Sequence, residues 1–460
     1  MAGKRVLSVK QILGNSYRAG GVASGIKNKT GAKDMAMVIS ENQYPCTVAG
    51  VFTTNAFASP AVQVDRTILK DLNGQGLRGV VVNAGCANAC TGAQGLDDAW
   101  KMGQAVDAAI MNTGDTSSTA PDKLPGSSHP SSHTLVMSTG VIGQHLPMPK
   151  ILRGVQSLVP ALGRQHGHWM DAATAIMTTD TFPKLRSKQV CTSVSGEPYT
   201  YRLAGWCKGA GMIHPNMATM LASVFTDADV SKECLDAAMA YAAEGSFNAV
   251  SVDGDSSTND TFLVFANGAA GRPSGRKIAG LASPEFVEFR NHLTELSVEL
   301  AKLIARDGEG ATKFIDIRVQ GARSFREAKQ VANTIAKSPL VKTAIYGRDA
   351  NWGRIICAVG YAGVPLNPTK VNMHFSAGDG SHSLHVFKDG APHEINEDVA
   401  ALILEKEDVA IRVDLGLGDA KAQVYTCDLS TDYIIFKATN RLRPISSPNV
   451  SIQLELNWIK

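Results

Sequence analysis

The stretch Lys208–Ala222, KGAGMIHPNMATMLA, gathers residue types suited to acyl-transfer chemistry. A lysine and glycines lead into His214, Pro215 and Asn216, and the turn runs out at Ala218 and Thr219, ahead of an apolar run. A threonine behind a small residue on a tight turn could act as a hydroxyl nucleophile, or become the first residue of a cleaved chain. Threonine attacks poorly until a base takes its proton, and its own freed α-amine can be that base. Such an amine titrates near ~8, so part of it is unprotonated at neutral pH. The plainer reading makes Thr219 a small polar residue at the start of a buried helix.

Other groups offer complementary chemistry. The strand-like run LVMST ends in Thr139-Gly140-Val141-Ile142-Gly143, and a glycine turn after a strand can aim N–H groups into one spot, as an oxyanion hole requires. Thr178-Thr179-Asp180-Thr181 sets hydroxyls beside a carboxylate, which suits a polar ligand or a capped turn. Glu309 lies between Gly308 and Gly310, where it could receive a ligand's ammonium group or be a solvated acidic turn. Asp253, Asp255 and Asp260 resemble part of a calcium loop without its spacing or closing glutamate, so a structured turn between strands is expected. Cys86 and Cys90 have no matching pair downstream, which argues against zinc.

These groups need elements to hold them. Met35–Ser40, Cys46–Thr53, Gly79–Asn83, Leu135–Thr139 and Lys313–Val319 read as strands. Leu96–Met111, Lys232–Glu244 and Phe325–Ser338 read as helices. The clearest helix is Ser283–Arg306. Ser283 is a good N-cap, Pro284 suits the first helical position, and Phe286, Phe289, Leu293, Leu296, Leu300 and Leu303 form one stripe. Gly347–Arg354 reads as a polar turn. Strands and helices in no strict βαβ order point to an α+β fold, a layered αββα-type core.

The 460 residues, 44% hydrophobic and 19% charged, suffice for two to four domains with a sizeable core. A net charge of +3, from 45 basic and 42 acidic residues, makes no case for nucleic acid or a membrane surface. No apolar run approaches the ~20 residues of a membrane span. The 8 cysteines are scattered, as reduced thiols of an intracellular compartment would be. Asn112–His133 is rich in Ser, Pro and Gly and reads as a surface insertion. The basic N-terminus, with no acid before Asp34, reads equally as a targeting segment or a basic tail.

In order along the chain stand AGGVASGIK, AGVFTTNAF, NAGCANACTG, STGVIG, IMTTDTFPK, KGAGMIHPNMATML, DGDSSTNDT, DGEGATK, GRDANWGRI and CDLSTDY. Together these motifs resemble the ornithine acetyltransferase family, the bifunctional glutamate N-acetyltransferase/amino-acid acetyltransferase of the cyclic arginine pathway, in its eukaryotic, fungal-like mitochondrial branch. The resemblance implies self-cleavage between Ala218 and Thr219. The parts are then a candidate mitochondrial targeting segment 1–18, an α chain 19–218 carrying the insertion 112–133, and a β chain 219–460. It makes Thr219 the N-terminal nucleophile and Thr139 with Gly140 the oxyanion hole. Substrate contacts fall on Thr181 (or Thr179), Lys208, Thr219 and Glu309. Lys208 would meet an α-carboxylate or lower the proton affinity of its neighbours, and Glu309 would pair with the ornithine ammonium group. The implied reaction moves acetyl from N2-acetylornithine to glutamate through acetyl-Thr219. Acetyl-CoA is implied as a second donor, with no bound cofactor or metal. The implied assembly is an αβ heterodimer that pairs further, and the implied location is the mitochondrial matrix.

The chain departs from the family's pattern after about residue 433. Lys437 stands where an asparagine is expected and Leu442 where a hydroxyl residue is expected. Two rival readings therefore stand beside the transferase: a self-processing amidohydrolase or aminopeptidase that passes the acyl group to water, and an inactive relative that cleaves itself without turnover.

Overall fold

The computed structural model describes residues 16–111, 132–194, 196–214, 220–271, 274–393 and 396–440. Residues 1–15 of the targeting segment, nearly all of the insertion, the pair Ala218–Thr219 and Leu442 lie outside the described residues. The chain begins β1 (Tyr17–Val22), β2 (Met35–Ser40), β3 (Thr47–Phe52), α1 (Pro60–Asp71), β4 (Gly79–Cys86), α2 (Gly92–Met111) and β5 (Thr134–Val141). It continues α3 (Met148–Ala161), α4 (His166–Ala175), β6 (Lys184–Thr192), β7 (Tyr199–Lys208), β8 (Leu221–Thr226), α5 (Lys232–Gly245), β9 (Thr261–Ala266) and α6 (Pro284–Arg306). Then come β10 (Phe314–Ala322), α7 (Phe325–Lys337), α8 (Pro339–Tyr346), α9 (Trp352–Gly360), β11 (Asn372–Ala377) and β12 (Ser383–Lys388). The last elements are β13 (Ala391–Pro392), α10 (Glu397–Glu405), β14 (Asp408–Asp414), β15 (Ala420–Cys427) and α11 (Thr431–Asn440).

Two sheets face each other. The first has the order β1-β2-β4-β5 and the second β3-β9-β8-β7-β6. One continuous core holds Val38, Val80 and Val136 of the first sheet with Leu221, Phe225, Leu263 and Phe265 of the second. Phe225 lies at its centre, with Tyr17 at 5.5 Å, Trp169 at 5.6 Å and Phe265 at 5.0 Å between ring centroids. Helices α1, α2 and α3 pack on the first sheet, while α5 and α6 pack on the second. The result is the αββα layering expected from the element order. Strands buried on both faces can be apolar without alternation. MAMVIS in β2, LASVFT in β8 and TFLVFA in β9 are buried along their whole length.

A third sheet, β13-β12-β11-β14-β10-β15, packs with α7 and α10 around its own core of Ile317, Val331, Ile335, Phe375 and Ile411. Helix α6 forms as its sequence dictates. Ser283 Oγ accepts the Phe286 N–H at 3.2 Å, and the whole predicted stripe is buried.

Four local expectations change. The apolar run after Thr219 forms strand β8, not a helix, because the second sheet buries both its faces. Gly140 lies inside β5, opposite Gly85 of β4, with the ladder bulging at Cys86. The acidic segment Asp253–Thr261 has no strand before it. Val250 makes only an isolated bridge to Tyr425, and the segment then leads into β9. The polar stretch Gly347–Arg354 is only partly a turn, since Asn351 caps α9, which starts at Trp352.

Candidate active site

Strands β7 and β8 are antiparallel neighbours, with Lys208 opposite Leu221. The connection between them carries the cleavage motif, so both its ends return to Lys208. Two carboxylates from the acidic segment grip this connection. Asp253 accepts the N–H groups of Met212 (2.7 Å) and Ile213 (3.0 Å), and Asp260 accepts that of Met220 (2.9 Å). The segment that resembled a calcium loop therefore acts as a brace. His214 is neutral at pH 7, since burial, aided by Lys337, pushes its pKa down to about 4.

A cleft of about 1080 Å³ opens beside this connection, lined by Thr139, Gly140, Thr179, Lys208 and Glu309 among others. Each comes from the end of a regular element or the turn beside it. Thr139 and Gly140 come from β5, Lys208 ends β7, and Glu309 follows α6. Gly140 adopts φ +132°, and a Cβ there would stand 2.3 Å from the carbonyl carbon of Gly85. Only glycine fits, and it leaves the Gly140 backbone open to the cleft.

Lys208 is buried, and its Nζ donates to Thr139 Oγ1 at 3.4 Å. That bond uses an oxygen lone pair and leaves the Thr139 hydroxyl proton free to point into the cleft. Burial pulls the Lys208 pKa below its ordinary value, while Asp180 pulls it back up. Asp180 accepts the Gly209 N–H (2.8 Å) and Lys184 Nζ (2.6 Å). Burial pushes the Asp180 carboxyl up, but Lys208, Lys184 and the Gly209 N–H outweigh this and hold it at about 2. Lys184, fully buried, also reaches Asp307.

The structure separates the two candidate threonines. Thr181 gives both its N–H and its hydroxyl to Asp307 and is not among the residues lining the cleft. Thr179 does line it. Thr181 thus joins the Asp307–Lys184–Asp180 chain, while Thr179 faces the cleft. Asp307 had no signal in the sequence, because its partners Thr181 and Lys184 lie more than a hundred residues away, and Lys184 joins it to the nearby Asp180 only through the fold.

Glu309 is held by its own N–H, which donates to Ala210 O at 2.8 Å, and by Gly211, where a Cβ would stand 2.3 Å from the carboxylate. Its carboxylate forms an ion pair with Lys437 of α11. Lys437, the departure noted in the sequence, therefore lines the same cleft. The loop Ile26–Lys33 makes the opposite wall, tied down by Asp34, which accepts the N–H groups of Ser24 (2.7 Å), Ile26 (2.6 Å) and Lys27 (3.1 Å).

Comparison with known proteins bears on this site. The model of the ArgJ family matches residues 18–441. The chain is 47% identical over 439 residues to the Sordaria macrospora protein named "Arginine biosynthesis bifunctional protein ArgJ, mitochondrial", covering 92% of this chain and 88% of that one. A protein of the same name from Yarrowia lipolytica is 47% identical over 426 residues, covering 92% and 93%. A solved Mycobacterium tuberculosis structure described as ornithine acetyltransferase complexed with ornithine shares 32% identity, covering 45% of this chain and 93% of its own, with a TM-score of 0.34.

Proposed function

Because the chain belongs to the ArgJ family, mitochondrial acetyltransferases of arginine biosynthesis, we propose that Thr219 carries an acetyl group between two amino acids in this cleft. The observation that carries the reading is the convergence of Thr139, Gly140, Lys208 and Glu309 around the β7–β8 connection. Thr219 stands two residues before Leu221, the ladder partner of Lys208, and two residues of chain span at most about 7 Å.

In the first event, Thr219 Oγ attacks the Ala218 carbonyl, the peptide becomes an ester, and water releases it. This yields an α chain ending at Ala218 and a β chain beginning at Thr219. The freed α-amine then takes the Oγ proton in each turnover. Thr219 attacks the acetyl carbonyl of N2-acetylornithine, and the Thr139 hydroxyl with the Gly140 N–H receives the developing oxyanion. Ornithine leaves with the returned proton. The amine of glutamate then attacks acetyl-Thr219 and departs as N-acetylglutamate. Lys208 meets the substrate α-carboxylate and lowers the proton affinity of the Thr219 amine. Glu309 meets the ornithine ammonium group, and Thr179 offers a polar contact on the cleft wall.

Acetyl-CoA serves as a second donor in the same cleft. The volume exceeds what an acetylated amino acid fills, and Lys29 on the opposite wall suits a phosphate group. The two chains remain a heterodimer, and the family resemblance extends to further pairing of that unit.

Intact mass of the protein and of a Thr219→Ala variant tests the cleavage. Fragments breaking at Ala218/Thr219, with the variant uncut, are expected; an uncut parent overturns the nucleophile. Ornithine release with and without glutamate tests transfer. Equal rates would mean that water is the acceptor.

A further inference from the structure

A ping-pong transferase meets a charge problem at one place in its site. The first substrate brings a side chain ending in an ammonium group, and the second a side chain ending in a carboxylate. A lone carboxylate at Glu309 welcomes the first and repels the second. The setting sharpens this, because Glu309 follows the C-terminal, negative end of α6, with Asp307 beside it. Asp307 has Lys184 as its cation. Glu309 has Lys437.

The two members of this pair are held differently. Glu309 is nearly buried, its side chain 5% exposed, and Gly211 leaves it no room to move on that side. Lys437 is 40% exposed and reaches the cleft from α11, its Nζ 5.4 Å from the Tyr433 ring centroid. Glu309 Oε2 faces the Lys437 ammonium directly, a charge-assisted contact between the two side chains. The root of α11 is fixed. Ser430 Oγ donates to Gly310 O at 2.5 Å and accepts the Tyr433 N–H at 3.2 Å. Lys437 is thus a partly exposed cation on an anchored helix, next to a buried anion, inside the cleft.

We propose that Glu309 and Lys437 form a charge-exchange pair that lets one site accept both side chains. In the donor step the substrate ammonium replaces the Lys437 ammonium at Glu309, a like-for-like exchange, and Lys437 turns to water. In the acceptor step Lys437 stays on Glu309 and presents its remaining protons to the side-chain carboxylate of glutamate. The pair then meets the incoming anion as a neutral unit with a cationic face. This rests on the reading that Glu309 receives the ornithine ammonium group.

The test uses the self-cleaved full-length protein and the variants Lys437→Met and Lys437→Arg. Acetyl-enzyme formed from N2-acetylornithine alone is followed by intact mass, and KM is measured for donor and for glutamate. Lys437→Met is expected to form acetyl-enzyme with donor KM unchanged or lower, while its glutamate KM rises by about tenfold or more. Lys437→Arg is expected to keep glutamate KM within about threefold of the parent. An unchanged glutamate KM in Lys437→Met overturns the proposal; if donor KM alone falls, Lys437 merely competes for Glu309. Loss of acetyl-enzyme in both variants also overturns it, because the donor step does not need Lys437. If the parent protein itself forms no acetyl-enzyme, the transferase reading falls first and takes this one with it.

Discussion

At Gly140 two requirements coincide: a positive φ of +132°, and no space for a Cβ against the β4 backbone. A Gly140→Ala variant is expected to lose about 2 kcal/mol or more of stability and to cut transfer at least about 100-fold, through a displaced oxyanion donor. Thermal melting and a glutamate-dependent assay would check both. Asp180 gives a prediction with a sign. Its folded pKa, about 2, lies below the ~3.9 of an unfolded chain, so the carboxylate's stabilisation is complete above about pH 4. It is lost as pH falls through about 2, and it amounts to roughly 2–3 kcal/mol. Asp180→Asn should flatten that part of the acid-unfolding curve and lower neutral-pH stability by a similar amount. An unchanged curve would show that Lys208 and Lys184 do not depend on this carboxylate.

Among elements, α6 and the strand that carries Thr139 were legible, while the β7–β8 pair and α11 were not. A capped amphipathic helix writes its signal within one stretch: Ser283, Pro284 and a stripe at three- and four-residue steps. The hairpin of β7 and β8 hides its meaning, because its turn is the cleavage motif and its register puts Lys208 opposite Leu221. Helix α11 carries the departure at Lys437, yet Ser430 and Tyr433 dock its start on Gly310 and Asp253. Replacing Ser430 with alanine removes its cap, typically worth about 1 kcal/mol. Faster amide exchange over Thr431–Lys437, with little change in global melting, is the expected result. Unchanged exchange would mean that Tyr433 alone holds the helix.

For the molecule as a whole, the second sheet answers what cleavage does to integrity. Its order β3-β9-β8-β7-β6 places two strands from after position 218/219 between strands from before it. β9 and β8 come from the C-terminal side, with β3 on one flank and β7 on the other. Both sides also share the core around Phe225. The cleaved chains should therefore co-elute in native size exclusion and part only in denaturant. Separation without denaturant would contradict the interleaved sheet.

Elements written in short stretches were readable before any fold was known. The α6 stripe and the strand that ends near Thr139 and Gly140 each depend on neighbours close in sequence. Ordered motifs placed the chain in its family. Tertiary structure alone decided the rest. It turned Thr181 toward Asp307 and left Thr179 on the cleft wall, 126 residues of chain separating Thr181 from its partner. It made the acidic segment a brace, and it converted Lys437 from an unexpected residue into the counter-ion of Glu309. Burial and long-range charge set these roles, and both are properties of the packed molecule that no local spacing encodes.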